Sequence, residues 1–116
     1  MIGALIGAMA GYKLGDKYLS GTRETPVWTG HLGGDLSMPA MTIMQVRYRG
    51  KISYRLYVIT NGNAVLVAVA QHYPEIVAAV QTWDRYLDEG GTVEGWLVHN
   101  QHRVREMDRL EASWQA

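Results

Sequence analysis

The chain has 116 residues, and 47% of them are hydrophobic, which is typical of one compact domain with a single core. Eleven basic residues balance eleven acidic ones, so the field of the whole molecule favours neither nucleic-acid binding nor mimicry of nucleic acid, and only local patches provide either. The absence of cysteine excludes disulfides, thiolate metal sites and thiol catalysis.

Four glycines spaced four residues apart mark the apolar N-terminal run: Gly3, Gly7, Gly11 and Gly15. In a helix, four residues turn about 400°, so these glycines form one stripe without side chains, on which a second helix packs closely. Each glycine costs a helix about 1 kcal/mol relative to alanine, so we expect a packing partner to offset that cost. We therefore predict a helix over residues 1–20 that packs on its own sheet, on a partner helix or on another copy.

The glycine stripe resembles the glycine-zipper segments of small membrane-associated and oligomeric proteins. The run from Met1 to Tyr12 has no positive residue before its apolar centre, so it is not interpreted as a cleaved signal. As a helix it spans about 18 Å, less than the roughly 30 Å of a hydrocarbon core. Shallow insertion of residues 1–19 into a membrane surface stays an alternative to a location in the cytoplasm or within a larger assembled particle.

Residues 21–40 are predicted to be a connector, because they hold four glycines and two prolines and lack periodicity. From Met41 to about residue 71, alternating apolar residues predict a three-stranded antiparallel meander. Gly50 and the pair Asn61-Gly62 mark its turns. The run 64–70 is too continuously apolar for a half-exposed strand, so it is predicted to be central or covered on both faces, or else to extend a helix.

Helix signals follow the meander. Pro74 with Glu75 begins a helix that Gly90-Gly91 ends, and Thr92 caps a second, long helix whose apolar stripe is interrupted at Asn100. The alternative is a strand over 93–98 with a helix only from Asn100. The predicted fold is therefore α+β: an N-terminal glycine-striped helix, then a small domain over 41–116 with a three-stranded sheet and one or two helices packed on it.

Basic and aromatic side chains crowd the predicted hairpin between residues 47 and 57. An open sheet face that carries them binds phosphates and stacks bases; the residues are Arg47, Arg49, Lys51, Arg55 and Tyr57. The alternative is that these charges only keep an exposed strand pair soluble. No RNP, KH or zinc-finger motif accompanies them.

Acidic residues Asp84, Asp88 and Glu89 lie at the end of the predicted first helix, where the helix dipole disfavours them. This pattern indicates either a docking surface for an arginine-rich partner or compensation by arginines within the fold. His99 and His102 supply only half of a metal site, so we expect them to be surface residues.

The sequence contains no phosphate loop, nucleophile elbow, dinucleotide fingerprint or zinc-protease motif, so no enzyme activity, cofactor or metal is predicted. The prediction is a non-enzymatic assembly or adaptor protein that packs its N-terminal helix against a partner helix or another copy within a larger complex. A nucleic-acid-binding module using residues 47–57 and a membrane-surface protein inserting residues 1–19 are the alternatives.

Overall fold

The computed structural model describes residues 22–31 and 36–116, and it shows an α+β fold. Four strands form one antiparallel sheet in the order β1-β2-β3-β4: β1 (Thr22–His31), β2 (Ala40–Tyr48), β3 (Lys51–Thr60) and β4 (Asn63–Ala70). Three helices follow: α1 (Tyr73–Asp88), α2 (Val93–His99) and α3 (Gln101–Gln115). The predicted helix over 1–20, with Gly3, Gly7, Gly11 and Gly15, lies outside the described residues.

Strand β1 lies inside the segment predicted as a connector, so the sheet has four strands and not three. Its residues do alternate between the two faces, but the positions that face inward include Thr22 and Glu24, which are polar. Hydrophobic alternation is therefore absent from its sequence. The pairing of β1 with β2 shifts register between Pro26 and Trp28, which places a bulge in this strand.

Two tight turns set the registers of the other three strands. Arg49 and Gly50 join β2 to β3 with φ angles of 50° and 80°, and Asn61 and Gly62 join β3 to β4 with φ angles of 51° and 78°. Two positive φ angles in a two-residue loop match the twist of the flanking strands. The predicted Asn-Gly turn is confirmed, and the meander follows from local chemistry.

Strand β4 is at the end of the sheet order within the described residues, so of the two predicted placements, central or covered on both faces, the central one is not found there. Helices α1 and α3 both pack on β4 and its neighbour β3. The continuous apolar run of β4 is explained by contacts on both faces, since Val67 lies in the main core and Leu66 packs against Met44 and Tyr57 on the other face.

Helix α1 begins and ends at its predicted signals. Pro74 lies in the first turn, and the backbone N–H of His72 donates to Oε1 of Glu75 at 3.1 Å. At the other end Gly90 has a φ of 93°, and the N–H of Gly91 donates to the carbonyl oxygen of Tyr86 at 2.9 Å. This is the glycine-dependent end that satisfies the last helical carbonyls.

Residues 93–99 form helix α2, so the strand alternative for 93–98 is wrong. Thr92 caps the helix as predicted, because its Oγ1 accepts a hydrogen bond from the N–H of Gly95 at 2.9 Å. Asn100 has φ −126° and ψ 30°, which are not helical values. The predicted single long helix is therefore wrong: two helices, α2 and α3, meet at Asn100, where the predicted apolar stripe is interrupted.

The main core includes Met41, Ile43, Leu56 and Val58, whose side chains share one face of the sheet, here called the helix face. It joins strand residues to all three helices through Met41, Ile43, Leu56, Val58, Val67, Ile76, Trp83, Trp96 and Met107. The rings of Trp83 and Trp96 lie 5.3 Å apart. The opposite face is also buried at its centre, where Thr42, Met44, Val46 and Tyr57 lie. Charged groups on that opposite face are therefore removed from water.

Candidate functional site

The five residues predicted to share an open face of the hairpin are divided by the structure. Arg47, Arg49 and Lys51 are exposed, whereas Arg55 is only 8% exposed and Tyr57 only 1%. The expectation of one open surface is corrected for those last two, which are buried on the face of the sheet opposite Arg47. The hairpin thus carries two separate groups of polar side chains.

The first group is a buried ion cluster formed by Glu24, Arg55, Tyr57 and Glu111. Arg55 donates from Nε to Oε2 of Glu111 at 2.6 Å and from Nη2 to Oε1 of the same carboxylate at 3.1 Å. Its Nη1 donates to Oε2 of Glu24 at 3.0 Å. The hydroxyl of Tyr57 donates to Oε1 of Glu24 at 3.0 Å. One guanidinium therefore bridges two carboxylates, with the two-point geometry that arginine favours.

Three distant elements position this ion cluster. Glu24 on β1 lies directly opposite Val46 on β2, and its side chain reaches across β2 to Arg55 and Tyr57 on β3. Glu111 comes from the last part of α3. The side chain of Glu24 is fully buried, and those of Arg55 and Glu111 are nearly so. The cluster consequently ties both the first strand and the last helix to the middle of the sheet.

Burial and charge act in opposition on these groups. Burial raises the pKa of Glu24 above its usual value, and the nearby Arg55 only partly offsets this. Burial lowers the pKa of Arg55, but its hydrogen bond to Glu111 and the charges around it outweigh burial, so the pKa is raised. Burial and the charge of Glu24 raise the pKa of Tyr57. At neutral pH Arg55 is thus a cation and Tyr57 is a neutral hydrogen-bond donor.

A cavity of about 550 Å³ opens beside the ion cluster, between β4 and the last two helices. Arg55 and Glu111 contribute to its polar wall together with Asp108, and Leu66, Leu97 and Val104 contribute to its apolar wall. The guanidinium and the Glu111 carboxylate that face it are bonded to each other. The arrangement holds the fold together and leaves no cluster carboxylate free of a donor.

The second group is an arginine patch at the β1–β2 edge of the helix face, defined as Arg23, Thr25, Gln45 and Arg47. Arg23 lies directly opposite Arg47, and Thr25 lies directly opposite Gln45. Both arginines are exposed, and within the described residues neither forms an ion pair. Arg23 was missed by sequence reasoning because it lies in the predicted connector.

Charge is segregated between the sheet and the helices. The described strands and their turns carry five basic residues, Arg23, Arg47, Arg49, Lys51 and Arg55, against the single acid Glu24. Residues 73–116 carry eight acidic and four basic residues. The neutral total therefore conceals a positive sheet and a negative helical layer, which a count by segment reveals.

The remaining candidates are not brought together as a site. His99 ends α2 and His102 lies in the first turn of α3, and no group of three or more possible metal ligands occurs in the described part of the chain. Asp88 and Glu89 are exposed at the end of α1, and neither is ion-paired to any described residue. Compensation of these two acids by arginines of α3 is therefore not found.

Comparisons with known proteins give no relatives: no family model matches the chain, and no curated protein or solved structure is significantly similar to it. Among the helices that the structure describes, none is long and apolar enough to cross a membrane.

Proposed function

We propose that the protein is a non-enzymatic assembly or adaptor protein, whose N-terminal segment packs its glycine stripe against a partner helix or another copy. The observation that carries the proposal is the four-residue spacing of Gly3, Gly7, Gly11 and Gly15. Three consecutive repeats of this spacing are far more specific than one, and each glycine lowers the stability of an isolated helix.

The geometry of β1 supports this proposal. The N-terminal segment continues directly into β1, and Glu24, the third residue of that strand, is held by Arg55 and Tyr57. The base of the segment is therefore fixed to the middle of the sheet and, through Glu111, to α3. A fixed base lowers the entropy lost when an attached segment binds a partner.

The ion cluster also supports a non-enzymatic role. The groups whose pKa values are shifted, Glu24, Arg55 and Tyr57, are hydrogen-bonded to one another. Shifted titratable groups often mark catalytic sites, but structural ion networks shift pKa values as well. Because Glu24, Arg55 and Tyr57 bind one another, we interpret their shifted pKa values as those of a structural ion network.

The proposal is tested by the mass of the full chain in solution, measured by light scattering after size-exclusion chromatography. We expect a species larger than the monomer, or a partner protein retained through purification. Gly7→Leu is expected to reduce this association, since a bulky side chain in the stripe holds the backbones apart. Ala8→Leu is the matched control, because the neighbouring position is turned about 100° away in a helix.

A strictly monomeric full chain that retains no partner contradicts the proposal, and so does an equal effect of Gly7→Leu and Ala8→Leu. A shortened chain used beside these variants has to begin at Gly21. A later start at Ser37 removes β1 and with it Glu24, which leaves the Arg55 guanidinium without one of its carboxylates.

A further inference from the structure

The arginine patch contains an arrangement that destabilises the sheet. Arg23 and Arg47 are Cα partners on β1 and β2, so their side chains leave the sheet side by side. Like charges at directly opposed positions repel, and no acid within the described residues pairs with either guanidinium. Residues that lower the stability of the fold are expected at surfaces that bind a ligand.

The patch lies on a part of the helix face that is open to solvent. Helices α1 and α3 make their main contacts with β3 and β4. At the β1–β2 edge, Arg23, Thr25 and Arg47 are exposed and Gln45 is half-buried. The result is a flat surface with two cations and two neutral hydrogen-bonding side chains, adjacent to one another through the strand register.

The β2–β3 turn extends this basic surface beyond the patch. The Arg49 guanidinium lies over the ring of Tyr48 at 5.1 Å, which presents a planar cation on an aromatic support. Arg49 follows Arg47 by two residues at the end of β2, and no ion pair holds it within the described residues. Tyr48 is the neighbour of Arg47 on β2 and lies on the opposite face, so the basic surface continues from the patch around the end of the sheet.

We propose that the arginine patch, together with Arg49 and Tyr48, binds the sugar-phosphate backbone of single-stranded nucleic acid. The forked guanidinium groups of Arg23 and Arg47 fit phosphate oxygens, and the planar Arg49–Tyr48 pair, around the end of the sheet from the patch, accepts a stacked base of the same strand. This activity uses residues that the assembly proposal leaves free, so the two are independent.

The polar character of the surface favours nucleic acid over an acidic protein. Protein interfaces have an apolar or aromatic centre, whereas interfaces with nucleic acid are polar and positively charged throughout. Two large hydrophobic residues near the patch are markedly exposed, Ile52 opposite Arg47 and Val27 two residues after Thr25, and both lie at the margin of the patch and not between its arginines. The positive charge of the sheet against the negative helices also orients a polyanion toward this end.

The test is fluorescence anisotropy of a labelled oligothymidylate of about twelve nucleotides with the full chain, titrated at several salt concentrations. With three phosphates contacted, the logarithm of the association constant is expected to fall with the logarithm of salt concentration with a slope of about −2. The double variant Arg23→Gln, Arg47→Gln is expected to bind at least about fivefold more weakly and to reduce the steepness of that slope by about 1.4.

The matched control is Arg105→Gln, Arg109→Gln, which removes the same charge from exposed positions of α3. We expect this control to bind within about twofold of the unchanged chain. Thermal melting checks the fold, and the patch variant is expected to melt no lower than the unchanged chain because its substitutions relieve repulsion.

Three outcomes overturn the proposal: no binding of the oligonucleotide at low salt, an equal loss in the α3 control, or displacement of the oligonucleotide by polyglutamate as effectively as by unlabelled oligothymidylate. The last outcome assigns the patch to an acidic protein segment instead.

Discussion

Arg47 and Arg55 are eight residues apart in one hairpin, yet their surroundings are opposite. Arg55 is buried, and its guanidinium donates to the two carboxylates of Glu24 and Glu111. Arg47 is exposed, and the side chain directly opposite it is another arginine, Arg23. The same residue type thus stabilises the fold at one position and works against it at the other, which shows that partners and burial decide the role of an arginine.

Strand geometry produces this difference. Arg47 is paired with Ile52, and Arg55 is paired with Met44, so the two arginines lie on opposite faces of the sheet. On one face, Arg55 contacts the carboxylates of Glu24 from β1 and Glu111 from α3. On the other face, Arg47 lies at the β1–β2 edge, away from the main helix contacts. The following substitutions test how far this contrast extends.

The largest expected effect is that of Arg55→Met. Removing the guanidinium leaves the buried Glu24 and Glu111 carboxylates without their cation, which is expected to lower the free energy of unfolding by about 3–5 kcal/mol. Arg47→Met is the control and is expected not to lower it, because this substitution removes the repulsion from Arg23. Urea denaturation measures both, and equal effects contradict the contrast.

Glu111→Gln tests the link between α3 and the sheet. The amide keeps the shape of the side chain but loses one of the two charge-assisted bonds from Arg55, so a loss of about 1–3 kcal/mol is expected. Glu106→Gln is the control on the same helix, because Glu106 is exposed. If both variants unfold at the same urea concentration, the bonds from Arg55 do not hold α3.

Glu24→Gln tests the balance between burial and charge through its pH dependence. Because the pKa of Glu24 is raised in the folded protein, the folded state binds more protons than the unfolded state above the usual glutamate value of about 4.3. The contribution of Glu24 to stability is therefore present below that value and is lost as pH rises through the folded pKa. The contribution of Glu24 is obtained by subtracting the free energy of unfolding of Glu24→Gln from that of the unchanged chain at each pH.

We expect the stability of the unchanged chain minus that of Glu24→Gln to fall as pH is raised from about 4 to neutrality, in urea titrations at each pH. The reverse trend means that Arg55 stabilises the ionised carboxylate by more than burial destabilises it.

The smallest expected effect is on the other face. Relief of repulsion between Arg23 and Arg47 is expected to raise the free energy of unfolding by about 0.2–1 kcal/mol in the double glutamine variant. Either single substitution already removes the repulsion, so in a double-mutant cycle the second substitution adds little. Additive gains from the two substitutions indicate that the side chains do not interact.

Local chemistry allowed much of the fold to be predicted. The Asn61-Gly62 turn, the start of α1 at Pro74 and the Thr92 cap each depend on residues close in sequence, and each is confirmed. The ion cluster depends on pairs separated by 31 and 56 residues, for which no local pattern exists. Because the sequence predicts a connector over residues 21–40, it gives Glu24 no place in the sheet and Arg23 no partner strand.

The charge segregation, by contrast, was available from the sequence. Counting charges over the whole chain gives zero, whereas counting them over 40–70 gives four basic residues and no acid. That window predicts a positive sheet without any structure. The charge count does not show that Arg55 is buried, because its burial depends on the pairing of β3 with β2 and on the contact with Glu111 of α3.

The β1 side of the described sheet is unsuited to accept a further strand. Pro26 has no N–H to donate, and the register shift beside it distorts β1. Hydrogen bonding of β1 to a strand of another molecule, the contact by which a cross-β fibril extends, is thereby hindered.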